Sequence, residues 1–201
     1  MRLNDRELAL MDSRVRRFSQ RAIELRMFGR LARRAGVDLR GGDLLDAGCG
    51  NGFGLELLAK TYRPRRLVGF DLMPEQIERA RSRGLAAQVS VGDITRIAEP
   101  DESFHGAFVF GILHHVPAWR TALRELARVL QPGGVLLVEE IHGELVRIQD
   151  RVIGTSHPRE AAFDWLEFRG ALEDAGLQVA AEASLLWRAI RSFAAIKPHT
   201  T

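Results

Sequence analysis

The chain has 201 residues, 46% of them hydrophobic and 27% charged, the proportions of one soluble globular domain with a single core. No apolar run approaches the roughly 18–20 residues that cross a bilayer, and the N-terminus carries Asp5 and Glu7 without an apolar stretch, so neither a membrane span nor a signal peptide is expected and the location is read as cytoplasmic. The single cysteine, Cys49, excludes an intramolecular disulfide and a multi-cysteine metal site, and the net charge of +3 is too small to argue for a nucleic-acid partner.

Apolar residues recur three or four apart from Leu8 through Met11, Val15, Phe18, Ala22, Leu25 and Phe28 to Leu31, which predicts a helical segment over 3–35 that stops at Gly36. Its arginines, among them Arg14, Arg21, Arg26, Arg30 and Arg34, read as a solvated face. Residues 1–36 are expected to form a helical lid, attached to a compact domain over 37–201.

Strands and helices then alternate. Leu44–Asp46 is a short apolar strand, followed by a helix from about Phe53 to Thr61. Arg66–Asp71 is a second strand, and Pro74 suits the first turn of the next helix. Ala87–Val91 and Gly106–Phe110 are the third and fourth strands. A helix over Thr121–Leu130 is expected to stop at Pro132-Gly133-Gly134, before a fifth strand over Val135–Ile141. The unalternated apolar run of that strand suits burial on both faces. Residues 142–157 receive no secondary-structure assignment, and the 142–163 stretch, which follows the fifth strand, is expected to join the 3–35 segment as a lid over the ligand side of the sheet. Asp164 and Glu167 read as a capping box opening a helix that ends at Gly176. Leu177–Trp187 and Ser192–Ile196 read as an antiparallel pair. The sum is a doubly wound, seven-stranded, mostly parallel α/β sheet with a C-terminal antiparallel hairpin.

Between the first strand and its helix stands Asp46-Ala47-Gly48-Cys49-Gly50-Asn51-Gly52. Glycines at alternate positions allow a tight turn and close approach of a ligand to the backbone. The dinucleotide pattern G-x-G-x-x-G fails, because Phe53 or Leu55 falls where its third glycine belongs. In open α/β sheets ligands bind outside the carboxyl ends of the strands, and here each strand ends in a usable group. The glycine turn and helix N-terminus suit a carboxylate, and Asp46 suits an amino group. Asp71 lies 19 residues after Gly52, near the spacing of a ribose-gripping carboxylate. Gly92-Asp93-Ile94 suits an adenine edge, and Phe110-Gly111 passes beneath the ligand.

The D-x-G-x-G-x-G spacing resembles the first motif of class I S-adenosylmethionine methyltransferases. The later stretches Gly69-Phe70-Asp71-Leu72-Met73-Pro74, Gly92-Asp93-Ile94 and Leu123 through Gly134 extend the resemblance over about residues 43–197, toward the small-molecule branch that includes quinone and sugar methyltransferases. The resemblance implies the class I fold and S-adenosylmethionine as cofactor, held by Asp46, Gly48, Cys49, Gly50, Asn51, Gly52, Asp71, Leu72, Met73, Gly92, Asp93, Ile94, Phe110 and Gly111. It implies methyl transfer to a small molecule, with a hydroxyl as the expected acceptor. No metal is expected.

A hydroxyl of high pKa benefits from a general base. His114 and His115 follow the fourth strand, and Glu139 and Glu140 end the fifth, its neighbour in a parallel sheet. By resemblance to sugar methyltransferases His114 is the expected base and Glu140 its partner, with His115 the other candidate and His142 and His157 ranked behind. His105 is read as a surface residue before the fourth strand. Cys49 is read as packing within the turn. Trp119, Phe163, Trp165, Phe168 and Trp187 are candidate walls of an apolar pocket. An RNA or protein methyltransferase, a non-catalytic cofactor-binding partner protein and a nicotinamide reductase are the competing readings. Phe110-Gly111-Ile112-Leu113 lacks the Asn/Asp-Pro-Pro-aromatic pattern of enzymes that hold a flipped base. A homodimer is left open.

Overall fold

The computed structural model describes residues 24–154, 156–186 and 189–199. Helix α1 covers Leu25–Arg34. It is followed by β1 (Asp43–Ala47), α2 (Phe53–Tyr62), β2 (Arg66–Asp71), α3 (Pro74–Ser82), β3 (Gln88–Val91) and β4 (Phe104–Phe110). A one-turn 3-10 helix at Leu113–His115 leads to α4 (Trp119–Val129) and β5 (Leu130–Ile141). The chain continues through α5 (Gly143–Ile153), a second short turn at Arg159–Ala161, α6 (Trp165–Asp174), β6 (Gln178–Leu185) and β7 (Ile190–Ile196).

The seven strands form one sheet in the order β3-β2-β1-β4-β5-β7-β6. β7 runs antiparallel to both β5 and β6, and the other pairs are parallel. The predicted topology is thus the observed one. β1 is buried at all five positions because it lies in the middle of a sheet covered on both faces. The strand order reverses between β1 and β4, and the registers Ala47↔Phe70, Asp71↔Val91 and Phe110↔Glu139 align the carboxyl ends on one rim. That rim is the ligand side of such a sheet.

Alternation along the strands divides the core. One layer packs Leu45, Val68 and Val138 against Trp119, Leu123 and Leu126 of α4 and Phe168 and Leu172 of α6. The other packs Leu44, Leu67, Phe108 and Leu137 against Phe28 and Leu31 of α1 and Leu55 and Leu58 of α2. Phe28 and Leu31 are fully buried, and the Phe28 ring lies 5.2 Å from that of Phe110. The described part of the expected lid is therefore a core helix. Residues 1–23 of that segment lie outside the described residues.

Two local expectations change. β5 begins at Leu130 and runs through Pro132-Gly133-Gly134 instead of starting after it. The strand absorbs the interruption through a register shift against Phe104 and Gly106, with Gly133 at φ +80° and its N–H donating to Lys197 O. Residues 142–157, unassigned from sequence, carry α5, capped by His142, whose Nδ1 accepts from Glu144 N–H. Asp164 caps α6 as expected, accepting from Glu167 N–H at 2.8 Å.

Candidate active site

The turn after β1 is built on positive backbone angles, with φ of +79° at Gly48, +50° at Gly50 and +79° at Gly52. Gly48 has a second reason to be glycine, since a Cβ there would stand 2.3 Å from Ile112 Cδ1. The turn is tied to the next strand. Gly48 and Cys49 N–H both donate to Phe70 O at 2.9 Å. Gly50 N–H donates to one oxygen of Asp71 and Met73 N–H to the other, each at 2.9 Å. Asp71 therefore holds the mouth of the cleft as well as facing it, and burial raises its pKa. Asn51 is held from behind, its carbonyl accepting from Arg83 Nε at 2.6 Å and its side chain from Phe53 N–H at 3.2 Å.

Along the rim lies a cleft of about 280 Å³. Of the predicted cofactor residues, Gly48, Asp71, Leu72, Met73, Gly92, Asp93 and Ile94 line it. Asp93 forms its own turn, with Oδ1 accepting from Thr95 N–H and Oγ1 at 2.8 Å. Ile112, Val116 and Pro117 complete the wall, as does His115. Ile112 and Pro117 carried no signal as single residues in the sequence. They reach the cleft because Gly111, at φ +65°, turns the chain back toward the Gly48 loop.

Asp46, Cys49, Gly50, Asn51, Gly52, Phe110 and Gly111 do not line this cleft. Gly111 N–H donates to Glu139 O, and Phe110 packs on Phe28. Cys49 is buried, and burial followed by the charges of Asp46 and Asp71 pushes its thiol pKa up, away from the thiolate a nucleophile needs. Asp46 differs from the rest. It is 1% exposed, neither carboxylate oxygen has a hydrogen-bond partner, and a Cβ on Gly54 would come within 2.6 Å of Oδ2. Burial, followed by the charge of Asp71, pushes its pKa up to about 8. An orphaned carboxylate behind a glycine turn fits the ammonium group of a methionine-like ligand, which would supply the missing donors.

The second half of the site follows β4. His114 is 4% exposed, and its Nδ1 stands 2.7 Å from Glu140 Oε2. Glu140 is fully buried, and its other oxygen accepts from Leu113 N–H at 2.7 Å. The carboxylate thus holds both the ring and the backbone that carries it. Glu139 points to the other face, where Ser192 Oγ donates to it at 3.0 Å, so strand alternation selects Glu140. His115 is a cleft wall beside His114, its ring 4.2 Å away, and burial followed by the neighbouring imidazoles pushes its pKa down to about 2. His157 also joins this cluster, whereas His142 caps α5. His105 lies within β4 and accepts from Asp43 N–H at 3.1 Å, which corrects its reading as a residue before that strand. Trp119, Phe163 and Phe168 are core residues, each no more than 2% exposed, and Trp165 packs on Phe193; none of them lines the cleft. Trp187 lies outside the described residues.

Comparison with known proteins bears on the family and the fold. Residues 45–138 match the family described as "Methyltransferase domain". The chain is similar to the fatty-acid O-methyltransferase of Mycolicibacterium smegmatis, 31% identical over 159 residues that cover 78% of this chain and 52% of that one. It is similar to the 27-O-demethylrifamycin SV methyltransferase of Amycolatopsis mediterranei, 31% identical over 158 residues, 71% of this chain and 56% of that one. The chain spans about half the length of these curated relatives. Its fold superposes on the Haloferax volcanii protein solved with the Trm112 methyltransferase activator, with a TM-score of 0.80 at 21% identity, over 98% of this chain and 96% of that one. Among the described residues no helix is long and apolar enough to cross a membrane.

Proposed function

From the premise that this chain carries a class I S-adenosylmethionine-dependent methyltransferase domain, we propose that it transfers the methyl group to an oxygen of a small-molecule acceptor, with His114 as general base. The cofactor's amino acid end lies against the glycine turn and Asp46, its ribose against Asp71, and its adenine between Leu72, Met73 and the Gly92–Ile94 turn. The names of the relatives above, both of which place methyl groups on oxygen or on a molecule lacking one there, support the choice of atom. Sulfonium methyl transfer is an in-line displacement, so the protein's part is to position the acceptor, exclude water and take its proton.

The observation that carries this reading is the buried His114–Glu140 pair, which stands next to His115 of the cleft wall. Glu140 engages Nδ1 and leaves the Nε2 lone pair for the acceptor's proton. The test is methyl transfer from S-adenosylmethionine to a panel of alcohols and phenols, whose hydroxyls carry a proton for the base to take. His114→Ala is expected to lower turnover by about 10²–10⁴-fold while S-adenosylhomocysteine binds as before. Full turnover in that variant would remove the base assignment. Cofactor binding by the wild type without transfer to any oxygen acceptor would remove the oxygen assignment.

A further inference from the structure

Three imidazoles meet beside the cleft from two distant stretches of chain. The rings of His114, His115 and His157 have centroids 4.2, 4.5 and 5.3 Å apart, and one donor nitrogen from each lies within 4.8 Å of the other two. Each outer ring is backed by a carboxylate. Nδ1 of His114 stands 2.7 Å from Glu140, and Nδ1 of His157 stands 2.5 Å from Asp150. Asp150 also accepts from His157 N–H, which fixes the backbone as well as the ring. With Nδ1 taken, Nε2 is the nitrogen each ring has to offer. His115 Nδ1 is buried without a hydrogen-bond partner.

Three clustered imidazole rings gain little from facing one another. Two carboxylates directly behind them favour positive charge at their centre. A ring whose second nitrogen is held by a carboxylate is also how proteins orient metal-ligating histidines. We propose that His114, His115 and His157 form a binding site for one divalent transition-metal ion. An all-imidazole donor set selects ions of the zinc, cobalt and nickel type over magnesium or calcium, which prefer oxygen. Bond lengths of about 2.0–2.1 Å require the rings to close in by roughly 1 Å each. Three protein ligands leave a fourth position open, and His115, which also walls the cleft, places the site at the cleft's edge.

The site stands independently of the methyl-transfer reading, but its consequence for turnover rests on that reading. In the metal-free protein His114 keeps its lone pair for the acceptor's proton, whereas a bound ion would occupy that lone pair and so would inhibit transfer.

The experiment is titration of the chelator-stripped, full-length protein with Co²⁺, followed by its visible ligand-field absorption, with S-adenosylhomocysteine calorimetry on the same samples. One Co²⁺ per chain with a tetrahedral-type spectrum is expected, displaced by Zn²⁺ and not by Mg²⁺. His157→Ala and His115→Gln are each expected to abolish the spectrum, and Asp150→Asn to weaken the metal by about 10–100-fold. Retained S-adenosylhomocysteine binding by His157→Ala shows that the variant is folded. A wild type that binds no Co²⁺, or a His157 variant that binds it equally well, overturns the proposal. Metal binding by a wild type that fails to bind S-adenosylhomocysteine upholds the metal site and counts against the methyl-transfer reading.

Discussion

Replacing Asp46 with asparagine probes the cofactor end of the cleft. In the unfolded chain an aspartate ionises near pH ~4, whereas in the folded protein burial, followed by the charge of Asp71, holds Asp46 protonated up to about pH 8. Below pH ~4 both states carry the proton and the site has no pH-dependent cost. Between the two values only the unfolded chain is ionised, so stability falls as pH rises, and above the folded value the cost is constant. At pH 7 the gap is about three units, or about 4 kcal/mol. A ligand ammonium group set against Asp46 requires the ionised form, so binding at pH 7 is expected to expel about 0.9 of a proton per ligand. Calorimetric titration with S-adenosylhomocysteine in buffers of different ionisation enthalpy measures that number directly. In Asp46→Asn the proton release disappears and the pH dependence of stability flattens. Affinity falls by about 10–100-fold, the loss of one charge-assisted hydrogen bond. A binding enthalpy for the wild type that is independent of buffer, or an asparagine variant with full affinity, would refute the assignment of Asp46 to the ligand's amino group.

Gly48→Ala forces a positive φ on a residue with a side chain and sets its Cβ against Ile112. It is expected to destabilise by about 1–3 kcal/mol and to weaken S-adenosylhomocysteine, read by thermal melting and calorimetry. Asp71→Ala takes the acceptor from the partly buried Gly50 and Met73 N–H groups, at about 0.5–1.5 kcal/mol for each hydrogen bond lost, and should lose cofactor affinity as well as stability. Unchanged affinity would remove Asp71 from the site. Phe28→Ala should cost about 3–5 kcal/mol in denaturant unfolding, because α1 is part of the core. A variant with native stability and altered turnover would instead restore this helix to the lid.

The glycine turn, the carboxylates at the strand ends and the order of strands and helices were legible in the chain, because each depends on residues close in sequence. A turn that needs positive φ writes its glycines in a row, and a strand covered on both faces writes an unbroken apolar run. Asp71 and Gly92-Asp93-Ile94 could be placed at the cleft because sheet topology brings all the strand ends to one rim. The His114–Glu140 pair was within reach for the same reason, since β4 and β5 are neighbours. The choice of Glu140 over Glu139, however, depends on which face each side chain takes. Tertiary structure alone decided the rest. α1 reads as an amphipathic helix whether it covers a pocket or fills a core, and only its packing on Phe108 and Phe110 settles which. His157 is 42 residues beyond His115 and follows a helix with no sequence signal strong enough to assign. Nothing local marks it as a partner of the two histidines after β4. Asp46 looks like any acidic strand end until its isolation in the core is seen. Periodicity and turn chemistry are local and survive in one dimension. The pairing of side chains across the sheet, and the absence of a partner for a buried charge, exist only once the chain is folded.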